Sequence, residues 1–213
     1  MTDGRHRVAL VTSSFHPHVG GVEEHVRQVA LALRAQGHDV VVWTVDRGEH
    51  LGVQTVDGVL VRYLPTPLPS ATPTGVARFA RVAPAAWHAW REALRADRPD
   101  LLHVHCFGPN GVYAAALARR HTLPLVVTGH GETTAGRPGR RLDAPGLLRT
   151  ALTRASAGPC ATTAPSRGRA GRPARTLRAG TGGPVVPNGR VRRAHRSPQT
   201  QWPSSRPRRT RVR

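Results

Sequence analysis

The stretch Arg7–Val45, RVALVTSSFHPHVGGVEEHVRQVALALRAQGHDVVVWTV, holds two apolar runs with a helical pattern between them. Arg7 to Ser13 is short and apolar, as a strand covered on both faces must be. A turn with Pro17, Gly20 and Gly21 follows. Val22, Val26, Val29 and Leu33 then recur along one helix face, with Glu23 and Glu24 in the first turn, where the helix dipole favours acids. Gly37 supplies the C-terminal stop, and His38 to Val45 is a second buried strand. Strand, helix and strand in that order predict a right-handed crossover between parallel neighbours.

Beyond this unit the alternation continues. Gly58 to Leu64 is a weaker third strand, and Leu64 to Thr74, with four prolines, is a loop. A helix is expected to open at Pro84, where a first turn tolerates proline. Trp87, Trp90 and Leu94 line one face of it, and it stops near Pro99. Leu101 to Cys106 is a fourth strand, Gly111 to Arg120 an alanine-rich helix, and Leu123 to Thr128 a fifth strand running into Gly129-His130-Gly131. The predicted fold class is α/β: a Rossmann-like, mostly parallel sheet with helices on both faces.

After about residue 150 the pattern fails. The remaining residues include two leucines, four valines and one tryptophan, too little apolar surface to offset chain entropy. The expected organisation is a folded domain over 1–155, a degenerate end of it over 156–189, and a disordered Arg/Pro-rich tail over 190–213.

Charge follows the same division. The 213 residues carry 32 Lys+Arg against 12 Asp+Glu, a formal +20, and every basic side chain is arginine. All 12 acids fall in residues 1–150, which hold 17 arginines, whereas 151–213 hold 15 arginines and no acid. A phosphate-binding surface ordinarily mixes lysine with arginine. Loss of lysine beside abundant Ala, Gly and Pro points to coding DNA rich in G and C, so no specific nucleic-acid partner is expected. Cys106 and Cys160 are too few for a disulfide framework or a four-thiolate zinc site. No apolar stretch reaches the roughly 18 to 20 residues of a spanning helix. Met1-Thr2-Asp3-Gly4 leads directly into the first strand, so no secretory leader is expected and the expected location is cytoplasmic.

Three features carry candidate chemistry. Gly20-Gly21 lies between strand and helix, where an open parallel sheet binds ligands and a helix N-terminus offers unpaired N–H groups to an anion. The alternative is a tight turn that needs positive φ. The G-x-G-x-x-G spacing is absent, which disfavours a nicotinamide dinucleotide; Asp46 alone does not restore that reading. The second feature is histidine at strand ends: His16, His18, His103, His105 and His130. His103 and His105 share one strand face, and His130 sits between glycines at the expected crevice, where an imidazole can bond a phosphate or sugar hydroxyl. His25, on the apolar face with Val22 and Val29, reads as a core histidine. No HExxH or CxxC is present, so no metal site is expected. The third feature, Arg78 to Arg95 with Phe79, Trp87 and Trp90, reads as a core-facing helix with snorkelling arginines, or else as a membrane-surface contact.

Taken together, Arg7–Thr44 resembles the opening of the retaining glycosyltransferases of family 4, which have the GT-B fold, and Pro99–Gly131, PDLLHVHCFGPNGVYAAALARRHTLPLVVTGHG, resembles the later part of their N-terminal domain. Thr163-Ala164-Pro165-Ser166 and Val185 to Gly189 extend the likeness in patches. The resemblance implies the N-terminal, acceptor-side half of a GT-B fold. It implies transfer of a sugar from a nucleotide-diphosphate donor to an acceptor hydroxyl with retention, without a cofactor. The acceptor classes it leaves open are lipid, inositol and glycan, and the aromatic helix near Trp87 leaves open peripheral contact on the inner membrane face. By position, Gly20 and Gly21 match the donor-diphosphate site, His130 the catalytic-cleft histidine, and Pro187, Asn188 and Gly189 the interdomain hinge. The family's second domain, with its pair of glutamates, has no counterpart here, since no acid follows residue 150. A truncated or frameshifted C-terminal end is therefore expected, and an isolated chain with little or no activity. The alternative is a non-catalytic binding module that needs a separate C-terminal half.

Overall fold

The computed structural model describes residues 4–70, 72–130 and 160–163. Its elements are β1 (Arg7–Thr12), α1 (Gly21–Ala35), β2 (Asp39–Val45), β3 (Val53–Val56), β4 (Val59–Leu64), α2 (Pro73–Asp97), β5 (Leu101–His105), α3 (Pro109–His121), β6 (Leu125–Thr128) and β7 (Cys160–Thr163). The seven strands form one sheet in the order β3-β4-β2-β1-β5-β6-β7. Every pairing is parallel except β3 with β4. The predicted Rossmann-like α/β class is therefore the observed one.

Side-chain alternation along the strands makes two cores. Val8 and Leu10 of β1 pack with Val26 and Ala30 of α1 on one face. Ala9 and Val11 pack on the other with Trp90 of α2 and Tyr113 and Leu117 of α3. Each fully buried aliphatic side chain, Leu102 for example, contributes about 2 kcal/mol of transfer free energy. Trp90 is wholly buried, stacks on Tyr113 (centroids 5.3 Å, 22°) and meets Trp43 edge-on (5.8 Å, 89°). Its indole N–H donates to the Pro65 carbonyl at 2.9 Å. The core reading of this helix holds for its C-terminal half, with the arginines of the helix exposed.

Three elements depart from the sequence reading. α2 begins at Pro73, about three turns before Pro84, because Thr72 caps it: its Oγ1 accepts from the Gly75 N–H at 3.1 Å. Pro84 lies inside the helix on its exposed side, so the first-turn role belongs to Pro73. β3 is an additional edge strand, turned back onto β4 through Asp57 and Gly58 at φ 50° and 74°. Both values suit the two-residue hairpin turn for which Asp-Gly is a signal. Finally, β7 adds a parallel strand beside β6, so the sheet runs past residue 155. Average composition over the arginine-rich end conceals four small or β-branched residues, Cys160-Ala161-Thr162-Thr163. Pro187, Asn188, Gly189 and the end over 190–213 lie outside the described residues.

Candidate functional site

Chain direction locates the site. From β1 the chain proceeds through α1 to β2 on one side, whereas β5 proceeds through α3 to β6 on the other. β1 and β5 are neighbours, so the strand order reverses between them, and the crevice outside their carboxyl ends is where such sheets take ligands. Helices α1 and α3 both start at that edge.

The start of α1 is bare. Gly20 is its N-cap residue in extended conformation (φ −166°, ψ −178°), and no side chain caps the first turn. Extended φ is open to any residue, and neither Gly20 nor Gly21 is among the glycines of positive φ. The tight-turn reading of this pair therefore fails. A Cβ on Gly21 would meet nothing within 4 Å, and one on Gly20 would meet only the Glu23 carboxylate, at 2.5 Å. Gly21 therefore leaves open approach to the backbone amides, whereas the Glu23 carboxylate stands beside Gly20. The start of α3 is also uncapped by any side chain, and Asn110 in its first turn is fully buried with neither amide atom hydrogen-bonded among the described residues.

Beside α1 stands a group of imidazoles. His103 and His105 point to the same side of β5, with ring centroids 4.2 Å apart. That side is α1's, since Leu101 packs in the α1 core while Leu102 and Val104 pack in the other. Thr128 pairs in register with His105, and its Oγ1 lies 2.8 Å from His103 Nε2. Two residues on, His130 brings Nε2 to 3.1 Å from His105 Nδ1. From above, His25 of α1 sets its ring edge-on to His130 (4.8 Å) and His105 (5.5 Å). His25 follows Gly21 by four residues, about 6 Å of helix rise. His25, His105 and His130 each bring a ring nitrogen within 4.8 Å of the others.

Burial sets the charge of this group. It lowers the pKa of His103 to about 4, with the His25 and His130 imidazoles adding to the effect. It lowers His105 well below the usual histidine value and lowers His25 as well. These rings are neutral near pH 7, able to accept or donate one hydrogen bond each but carrying no positive charge.

Not every candidate residue joins. His18 turns to Glu49 at 3.4 Å, and the His16 carbonyl accepts from the Tyr63 hydroxyl. Asp46 caps its own loop, its Oδ1 accepting from the Gly48 and His50 amides at 2.9 and 3.2 Å. His25 is the member whose role the sequence understated. It does face the sheet, but what it meets there is His105 and His130. Only the adjacency of α1 to β5, which is non-local, reveals that company.

These features define a Rossmann-like domain with its candidate site at the carboxyl edge of the sheet. The profile of Glycosyltransferase Family 4 matches residues 19–190, well over half of the chain, and the chain belongs to that family. It is similar to a GDP-mannose-dependent alpha-mannosyltransferase of Mycobacterium tuberculosis, 34% identical over 128 residues, covering 56% of this chain and 31% of that protein. It is also similar to a human phosphatidylinositol N-acetylglucosaminyltransferase subunit, 36% identical over 61 residues, covering 28% of this chain and 13% of that protein. The chain thus spans about a third or less of the length of these curated relatives. Among solved structures, sucrose-phosphate synthase from Thermosynechococcus elongatus aligns with a TM-score of 0.64 at 16% identity, over 85% of this chain and 48% of that one. That likeness concerns the fold, the N-terminal half of a GT-B architecture. Among the described residues no helix is long and apolar enough to cross a membrane.

Proposed function

We propose that the chain forms the acceptor-side half of a retaining glycosyltransferase whose donor is a nucleotide-diphosphate sugar. The reading rests on two observations: the uncapped amides at the start of α1, beginning at the sterically open Gly21, and His25, one helical turn on, whose ring meets that of His130 at 4.8 Å. Departure of a nucleoside diphosphate builds negative charge on its phosphate oxygens. A helix start answers it with N–H donors and the positive end of the dipole, fixed in place before the reaction. His130 supplies a directional contact to the transferring sugar or its phosphate. The names of the mycobacterial relatives make a GDP-mannose donor the first to test.

Titration of the purified chain with GDP-mannose, UDP-glucose and UDP-N-acetylglucosamine, read by calorimetry, tests the reading. Weak binding of at least one sugar nucleotide that Gly21→Val and His130→Ala both remove supports it. Binding that survives both substitutions, or none in the millimolar range, overturns it. Sugar transfer by the chain alone would overturn the expectation of inactivity. Stoichiometric co-purification of a second polypeptide would favour the two-chain alternative.

A further inference from the structure

We infer that His25, His105 and His130 form a three-imidazole site for a divalent cation of the zinc class. The three residues come from α1, from the end of β5 and from just beyond β6. No sequence spacing announces the set; the fold assembles it. Each residue offers a ring nitrogen, and the three nitrogens lie within 4.8 Å of one another. His105 Nδ1 and His130 Nε2, at 3.1 Å, already stand near the spacing of two ligands on a zinc tetrahedron. With Zn–N distances of about 2.0–2.1 Å, that spacing is about 3.3 Å. Closing the third side needs a movement of about 1.5 Å by the half-buried His25 ring, within reach of rotation about its side-chain bonds.

His103 is not in the ligand set. Its Nε2 is held by Thr128 Oγ1, and its ring supports the side of His105. Three neutral nitrogens with no carboxylate select imidazole-preferring ions such as zinc, cobalt and nickel over magnesium or calcium, and leave a fourth position for water or an anion. The inference does not depend on the donor reading, because the probe is the ion alone.

The test is cobalt titration of the full chain after treatment with a chelator, without nucleotide. The expected result is one equivalent of cobalt giving visible d–d absorption of tetrahedral intensity, displaced by zinc and unaffected by excess magnesium. His25→Ala and His130→Ala are each expected to weaken binding about tenfold or more. His6→Ala, which disturbs the separate His6–His38 stack, is expected to leave it unchanged. Zinc is also expected to raise the melting temperature of the unaltered chain, a readout that needs no variant to fold. The inference is overturned by the absence of saturable cobalt absorption, by zinc leaving the melting temperature unmoved, or by affinity that neither His25→Ala nor His130→Ala reduces.

Discussion

His105 Nδ1 and His130 Nε2 stand 3.1 Å apart and join the ends of β5 and β6. One proton can lie between them, and whichever ring holds it fixes the tautomer of the other. The contact follows from register. His105 is paired with Thr128, and His130, two residues beyond Thr128, returns to the same face of the sheet. The same period of two places His103 beside His105 and turns Leu102 and Val104 into the opposite core. Sheet geometry therefore brings together three histidines, and α1 lays His25 over them.

The bare start of α1 leads to a separation between stability and binding. Gly21 has room for a methyl group and a helical backbone, so Gly21→Ala leaves unfolding free energy within about 1 kcal/mol of the unaltered chain. A bulkier Gly21→Val occupies the space in front of the first-turn amides and weakens sugar-nucleotide binding. Denaturant melts and calorimetry on both variants check this. Loss of stability in Gly21→Ala above about 2 kcal/mol shows that the glycine is a folding requirement.

Much of this was legible in the residues themselves. β1, α1, β2, β5 and β6 announce themselves because strands covered on both faces are apolar runs and α1 has one apolar stripe. β3 was less legible, for it lies at the sheet edge with Val53 half exposed, and its signal was the Asp57-Gly58 pair rather than its own composition. α2 was mislocated because Pro84 outweighed the Thr72-Pro73 start, although a proline on an exposed side costs the helix one hydrogen bond without clashing with a core. Of the site, Gly20, Gly21 and His130 were readable as strand-end features. His25 was not, since its meaning depends on α1 packing over β5, a relationship between residues about 80 positions apart that no local period encodes.

Asp97 holds the sheet to α2. It is 7% exposed, receives Arg62 Nε and Nη2 at 2.7 and 2.5 Å, and accepts the Trp43 indole N–H at 2.7 Å. Asp97→Asn leaves a largely buried guanidinium without its counter-charge and is expected to destabilise by about 3 kcal/mol. Urea unfolding followed by tryptophan fluorescence measures it. A loss below about 1 kcal/mol would show that Arg62 finds water when its partner is gone.

The two tyrosines make the alkaline limb of stability predictable. Burial raises both pKa values, that of Tyr113 from 10.0 to about 12, with Glu49 adding to the effect at Tyr63. Between these limits the native chain keeps protons that the unfolded chain has released. Stability is therefore intact below pH 10 and falls as pH rises through 10 toward 12. Tyrosinate absorbance is expected to appear late and together with loss of the circular-dichroism signal. Ionisation of both tyrosines near pH 10 in a chain that is still folded would contradict the burial of their hydroxyl groups.

Gly111 offers the contrast to Gly21 at the start of α3. Alanine is intrinsically better than glycine inside a helix by about 1 kcal/mol. At Gly111, however, an added Cβ would lie 2.6 to 2.8 Å from three ring carbons of Phe107, and Phe107 is itself 4% exposed. Overpacking of this kind costs about 1–3 kcal/mol, so the steric effect exceeds the propensity gain and Gly111→Ala lowers stability. Since α3 begins at the same edge as α1, a displaced Phe107 also shifts the first turn that carries Asn110. The expected outcome is a lower melting temperature for Gly111→Ala, partly recovered in a Gly111→Ala, Phe107→Leu double variant with the smaller side chain. If the single variant is as stable as the unaltered chain, Phe107 moves more freely than its burial allows, and the close fit of β5 to α3 is not what positions that turn.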